Sequence, residues 1–251
     1  MHDVKTTNSL SEIGVVFLSG AGLRQEIWAD VVSQLACPAL VAEYPGKDGG
    51  SAENNAFSLK DYAGHVQRQI EHWGVRRFVL VAHSLGGVIG LCVAQLMPER
   101  VVGFVAVGAV IPKNGGSFLS VQPWPKRVLV STVLRLAGTK PPAAALRQGL
   151  CHDLTSFQTE SVVAGFQPES VRVYTDGCEA GVPEVPRMYV KLTQDRMLDQ
   201  RLQDRMALQL AAHRTVSLPS GHLPMLSMPE KLSRVLVAFM ATGPDDHVQV
   251  V

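Results

Sequence analysis

The sequence predicts an α/β domain: a mostly parallel six-stranded sheet flanked by helices, with a small helical insertion. Three observations carry that expectation. Short apolar, β-branched runs alternate with longer segments whose apolar residues recur at helical spacing, the order that builds parallel sheets through crossover helices. One run, Phe78 to Val81, passes through Ala82-His83-Ser84-Leu85-Gly86 straight into an apolar, glycine-rich helix start at Gly87. Between residues 112 and 186 this alternation breaks into short helical pieces punctuated by proline and glycine, and afterwards it resumes. A chain of 251 residues is long enough for one such domain with an insertion.

The elements follow in order. Residues 1–12 are polar and predict a flexible lead. Ile13 to Leu18 is an unbroken apolar run, as expected of a strand buried on both faces. It ends in Ser19-Gly20-Ala21-Gly22, a turn able to aim backbone N–H groups at an anion. Gln25 to Leu35 places Ile27, Trp28, Val31, Val32 and Leu35 on one helical stripe, stopped by Pro38. Ala39 to Tyr44 reads as a second strand and residues 45–51 as a loop. Ser58 with Asp61 forms a capping box, after which Leu59, Tyr62, Ala63, Val66, Ile70 and Trp73 share the core face of a helix closed by Gly74. Beyond the Ser84 turn, Met97-Pro98 ends the next helix and Val101 to Val107 forms a strand.

Within the insertion, helical pieces are expected at Lys126 to Leu136, Ala143 to Cys151 and Ser156 to Phe166, covering the carboxyl ends of the strands as a cap. Met188 to Leu192 resumes the sheet and delivers Thr193-Gln194-Asp195. A helix from Asp199 to about Leu210 precedes a last strand, Arg214 to Leu218, which runs into Pro219-Ser220-Gly221-His222. A closing helix starts near Pro229, where proline suits the first turn, and buries Leu232, Val235, Leu236 and Phe239. Residues 13–111 and 187–242 thus make the core, 112–186 the cap, and 243–251 a flexible tail.

Charge narrows the partners. The chain holds 23 basic and 22 acidic residues and no basic run, which argues against nucleic acid and against a membrane surface. A small, largely uncharged molecule is the expected ligand, a homodimer is allowed for, and a cytoplasmic location follows from the polar amino terminus. Four cysteines, at 37, 92, 151 and 178, lack metal or redox spacing and read as free thiols, with no metal site and no cofactor expected.

The chemistry is read from Ser84, Asp195 and His222, each just past a strand's carboxyl end, where active sites of parallel sheets lie. A sharp strand-to-helix turn lifts a serine hydroxyl clear of the sheet only if the residues two before and two after it are small, here Ala82 and Gly86. Serine alone is a poor nucleophile. It needs an imidazole to take its proton, and the imidazole needs a carboxylate to fix its tautomer. His222 supplies the first and Asp195 the second, with Asp199 as the other candidate acid; His83 is read as structural.

AHSLGG, TQDRML and PSGHLPMLSMPEKL in this order resemble the α/β-hydrolase superfamily, most closely the branch of plant methylesterases and hydroxynitrile lyases. The stretches Cys151-His152-Asp153-Leu154 and Pro168-Glu169 are also similar to that branch. The resemblance implies a cofactor-independent serine esterase with Ser84, Asp195 and His222 as triad and the Ala21 and Leu85 N–H groups as oxyanion hole. It implies a small to medium, largely apolar ester and water as substrates. Gly20, Leu119, Trp124, Leu154, Met197 and Leu223 are the candidates for the substrate pocket. Lactonases, thioesterases, C–C bond hydrolases and slow-turnover ligand receptors share the machinery. Two departures stand out: Ser19-Gly20 replaces the usual His-Gly, and Leu223 replaces the lysine that the lyases carry after the histidine. The second argues against a lyase, and a serine at the turn argues against the aspartate-dependent dehalogenases and epoxide hydrolases.

Overall fold

A computed structural model describes residues 13–46 and 56–241. The expected lead at 1–12, residues 47–51 of the expected loop and the tail at 243–251 lie outside the described residues. Six strands, β1 (Ile13–Leu18), β2 (Ala39–Val41), β3 (Arg77–His83), β4 (Val101–Val107), β5 (Arg187–Leu192) and β6 (Arg214–Leu218), form one sheet in the order β2-β1-β3-β4-β5-β6. Every pairing is parallel. After β2 the chain crosses back to the other side of β1, so the strand order reverses between β1 and β3. Their carboxyl ends therefore open a crevice at the point where parallel sheets bind ligands.

The strands are apolar throughout because both faces are covered. Alternate residues separate cleanly. Val16, Leu18, Leu80, Ala82, Phe104 and Ala106 pack on one side with helix α2 (Leu59–Trp73) and helix α3 (Gly86–Leu96). Val15, Phe17, Val79, Val81, Val105 and Val107 pack on the other with helix α1, a 3₁₀ turn at Gln25–Trp28 leading into Ala29–Val32. The same side receives Leu232, Val235 and Leu236 of the closing helix Pro229–Ala241. The capping box expected at α2 is present, with Ser58 accepting from the Asp61 N–H and Asp61 from the Ser58 N–H, and Gly74 closes the helix in the left-handed region.

The insertion between β4 and β5 carries a 3₁₀ turn (Phe118–Val121) and helices α4 (Trp124–Ala137), α5 (Ala143–Ala145), α6 (Ser156–Gly165) and α7 (Val171–Thr175). The piece expected at Ala143 to Cys151 widens into a π turn at Leu146–Leu150. Helix α8 (Gln200–Gln209) then crosses from β5 to β6, and a short helix α9 (Pro224–Ser227) precedes the closing helix α10. The expected second strand is shorter than Ala39 to Tyr44: Tyr44 leaves the edge to bury its ring and donate to the Ser19 carbonyl at 2.8 Å. All four cysteines are free, and Cys92 of α3 lies with its sulfur 3.4 Å from that of Cys178 in the insertion. No helix among the described residues is long and apolar enough to cross a membrane.

Candidate active site

Ser84 sits between the last residue of β3 and the first of α3 with φ at 52°. A non-glycine residue in this region is strained, and it persists only where the surroundings over-determine it. Here the Ser84 N–H donates to the Val107 carbonyl at 3.4 Å, and the Ser84 carbonyl accepts from the N–H groups of Val110 at 2.9 Å and Gly87 at 3.1 Å. Gly86 is glycine because a Cβ there would lie 2.4 Å from the Leu18 carbonyl oxygen. The small residues of the motif thus let the β1 end and the Ser84 turn approach each other.

The turn after β1 is clamped from three sides. Ser19, where the resembling family has histidine, accepts the Trp28 indole N–H on its Oγ at 3.0 Å and the Tyr44 hydroxyl on its carbonyl. Gly22, at φ 72°, donates its N–H to Glu169 Oε1 at 3.0 Å, and Tyr62 donates to Glu169 Oε2 at 2.7 Å. Between these anchors the Ala21 N–H has no intramolecular acceptor among the described residues, nor has the Leu85 N–H beyond Ser84. Two free backbone donors thus remain, one in the turn after β1 and one directly after Ser84.

His222 is buried in the loop beyond β6, its Nδ1 2.7 Å from Asp195 Oδ2. That contact places the proton on Nδ1 and leaves the Nε2 lone pair free to take another. Asp195 Oδ1 accepts from the N–H groups of Met197 at 2.7 Å and Leu198 at 3.1 Å. Burial raises the Asp195 pKa, but the neighbouring His222, its hydrogen bond and the two backbone donors outweigh burial and hold the carboxyl below its ordinary value. Asp199, the other candidate acid, caps α8 instead, its Oδ1 accepting from the Leu202 N–H at 2.8 Å.

His83 proves to be more than filler. Fully buried, it donates from Nε2 to the His222 carbonyl at 2.8 Å, and the two rings lie 4.7 Å apart, centroid to centroid. Burial, reinforced by His222, pushes its pKa down to about 3. The ring therefore stays neutral in the folded protein, whereas in the unfolded chain it takes a proton below about pH 6.5. Each pH unit below that value should then cost about 1.4 kcal/mol of stability until the folded-state pKa is reached. Urea midpoints measured between pH 7 and pH 4.5 are expected to fall for the wild type and to flatten in His83→Gln, which keeps a donor and loses the titration. An unchanged slope in the variant would assign the acid sensitivity elsewhere.

Ser84 and His222 open into one cavity of about 350 Å³. Of the predicted pocket residues it brings together Gly20, Leu119 and Met197, adding Phe118, Val130, Leu134, Leu146, Leu150, Phe166 and Tyr174. The other three are placed elsewhere. Trp124 is 75% exposed on the first turn of α4, Leu154 packs against the β-branched side of the core with Leu146 and Leu150, and Leu223 is wholly buried in that same cluster. Adjacency to His222 in sequence did not set the direction of the Leu223 side chain. A larger cleft of about 740 Å³, between α1 and α6, contains neither Ser84 nor His222.

Sequence reasoning assigned no role to Asp153 or Glu169. Asp153 Oδ2 accepts from the Gly221 N–H at 2.6 Å, next to His222, as Glu169 accepts from Gly22, next to Ala21. Two carboxylates of the insertion thus fix the two loops of the site, 68 and 147 residues away in the chain. Both fall in the short stretches already noted for their resemblance, which was the one signal available. Among the described residues no group of three or more histidine, cysteine, aspartate or glutamate side chains is arranged to hold a metal ion.

Fold and site together define an α/β protein of the kind that presents a serine on a strained strand-to-helix turn beside a carboxylate-held histidine. A sequence profile of the Alpha/beta hydrolase family matches residues 15–235, and the chain belongs to that family. It is 26% identical over 236 residues to a pyrethroid hydrolase of Sphingobium wenxiniae, covering 84% of this chain and 79% of that one. To the carbamate-hydrolase-type protein RutD of Cronobacter sakazakii it is 28% identical over 139 residues, 54% of this chain and 49% of the other, so it spans about half the length of that relative. Among solved structures it resembles an extracellular α/β-hydrolase from a Paenibacillus species described as homologous to tobacco salicylic acid binding protein 2. That match has a TM-score of 0.80 at 19% identity over 90% of this chain and 98% of the other.

Proposed function

We propose that the protein is a carboxylic ester hydrolase acting on a small to medium, largely apolar ester through an acyl-enzyme. The observation that carries this reading is the single apolar cavity into which both Ser84 and His222 open, with His222 held on its far side by Asp195. Ser84 Oγ attacks the ester carbonyl while His222 Nε2 takes its proton. The carbonyl oxygen, now negative, is held by the Ala21 and Leu85 N–H groups. The tetrahedral intermediate collapses, His222 returns the proton to the departing alcohol, and the acyl group stays on Ser84. Water then attacks the acyl carbonyl with His222 as base, releasing the acid and restoring the serine. Asp195 holds the imidazole in the tautomer that both steps need. Residues 112–186 act as the cap, supplying most of the cavity wall and bracing both site loops through Asp153 and Glu169.

The hydrolase names of the two relatives support the reaction class, and the cavity supports the apolar substrate: at about 350 Å³ it falls at the small end of ligand pockets. The test is the time course of p-nitrophenyl acetate and butyrate hydrolysis with the intact protein mass followed in parallel. Steady multiple turnover, with a transient acyl adduct on the peptide carrying Ser84, is expected. A stoichiometric burst without a steady state would replace the esterase by a ligand receptor with stalled deacylation, and the absence of any adduct would remove Ser84 as nucleophile.

A further inference from the structure

The near-zero net charge of the chain conceals a strong segregation. Between Glu99 and Asp153 there is no acidic residue, whereas Arg100, Lys113, Lys126, Arg127, Arg135, Lys140 and Arg147 are all basic. Helix α4 lies in the middle of this stretch and has no buried residue. Its exposed side chains include bulky apolar ones: Trp124, Val128, Leu129 at 64%, Val133 and Leu136 at 83%. Arg127, Arg135 and Lys140 are exposed alongside them, and none of their side chains forms an ion pair or hydrogen bond among the described residues. The opposite side of the same helix, through Lys126, Val130 and Leu134, walls the Ser84 cavity.

A helix of 14 residues with an apolar outer face, a tryptophan at one end and only positive charge has the chemistry of an element that lies in a membrane interface. We propose that α4 docks the protein onto an anionic lipid bilayer surface, lying along the headgroups with Trp124, Leu129 and Leu136 in the acyl boundary and Arg127, Arg135 and Lys140 on the phosphates. Charge selects this occupant over a second copy of the chain. A two-fold pairing of this face would bring its arginines and lysines together, whereas an anionic bilayer pairs each of them, at about fivefold in partitioning per basic residue. The geometry also gives the contact a use. A helix with one side in the bilayer and the other on the cavity lets an apolar substrate pass from lipid toward Ser84 with little exposure to water.

The experiment is co-sedimentation with vesicles of phosphatidylcholine alone and with about a third phosphatidylglycerol, read together with tryptophan emission. Trp28 is buried and Trp73 is half-buried against the core at the end of α2, so Trp124, 75% exposed, is the indole positioned to respond to the lipid. The wild type and Ser84→Ala are both expected to bind the anionic vesicles at least tenfold more than the neutral ones, with a blue shift that high salt reverses. Using Ser84→Ala separates this result from the esterase assignment. The exposed double variant Leu129→Ser/Leu136→Ser should keep its circular dichroism and its p-nitrophenyl acetate turnover and lose binding at least tenfold, and Arg127→Glu/Arg135→Glu should lose the preference for anionic lipid. Equal or absent binding to the two vesicles, or binding that survives the double leucine change, overturns the proposal. So does a wild-type dimer that the double variant converts to a monomer, which would give the face to a second copy.

Discussion

Ser84→Ala is expected to lower kcat on p-nitrophenyl butyrate by about 10⁵-fold to 10⁶-fold, the loss seen when a triad nucleophile is removed and only binding and oxyanion contacts remain. The loss should come without unfolding. Ser84 Oγ has no hydrogen-bond partner among the described residues, so its removal orphans nothing, and the residue keeps its place at φ 52°. Stability should therefore stay within about 0.5 kcal/mol of the wild type, and KM should change little because the cavity wall is intact. Ser84→Gly sharpens the test. It removes the same hydroxyl but relieves the positive φ, so it should be equally inactive and more stable by about 1 kcal/mol, if strain is stored at the turn. An alanine variant within tenfold of wild-type kcat would place the nucleophile elsewhere, and a glycine variant no more stable than alanine would show that the turn is relaxed.

What the sequence disclosed depended on whether the determinant was local. The Ser84 turn was legible because its constraint lies within five residues: a strand that ends, a hydroxyl, and glycine where Leu18 leaves no space for a Cβ. The capping box at Ser58 and the bounds of β4 and β6 were legible for the same reason, each being marked by residues at its own end. Asp195 and His222 could be matched because each follows a strand directly, and the parallel sheet brings all carboxyl ends to one edge. The insertion was legible as an insertion but not in its orientation. Helix α4 has apolar residues on more than one side, so no period told which side faces the cavity, and Trp124 was placed inward when it faces solvent. Asp153 and Glu169 were beyond reach as functional residues, since their partners lie far along the chain and a buried acid at a backbone N–H leaves no pattern in the sequence.

The second large effect is expected at Asp195, where asparagine should lower kcat by about 10⁴-fold while leaving the fold intact. The surroundings dictate why so conservative a change is severe. Asp195 Oδ1 faces two N–H donors, those of Met197 and Leu198, and Oδ2 faces His222 Nδ1. An asparagine can satisfy the two backbone donors only by presenting its oxygen to them, which turns its NH₂ toward His222. That group donates, so Nδ1 must become the acceptor and the imidazole proton moves to Nε2. The ring then offers an N–H in place of the lone pair that should take the serine proton. The reversed amide would restore the tautomer only by setting NH₂ against two N–H groups in a buried site, at a cost of about 1–3 kcal/mol for each donor left unsatisfied. The cheaper orientation is the one that removes the general base. Asp199→Asn is the matching control, because asparagine caps a helix as well as aspartate does, and its kcat should stay within about twofold of wild type. If Asp199→Asn carried the large loss and Asp195→Asn did not, the acid of the site would have to be reassigned; if both were silent, His222 would be orienting itself without a carboxylate, against the 2.7 Å contact that holds it.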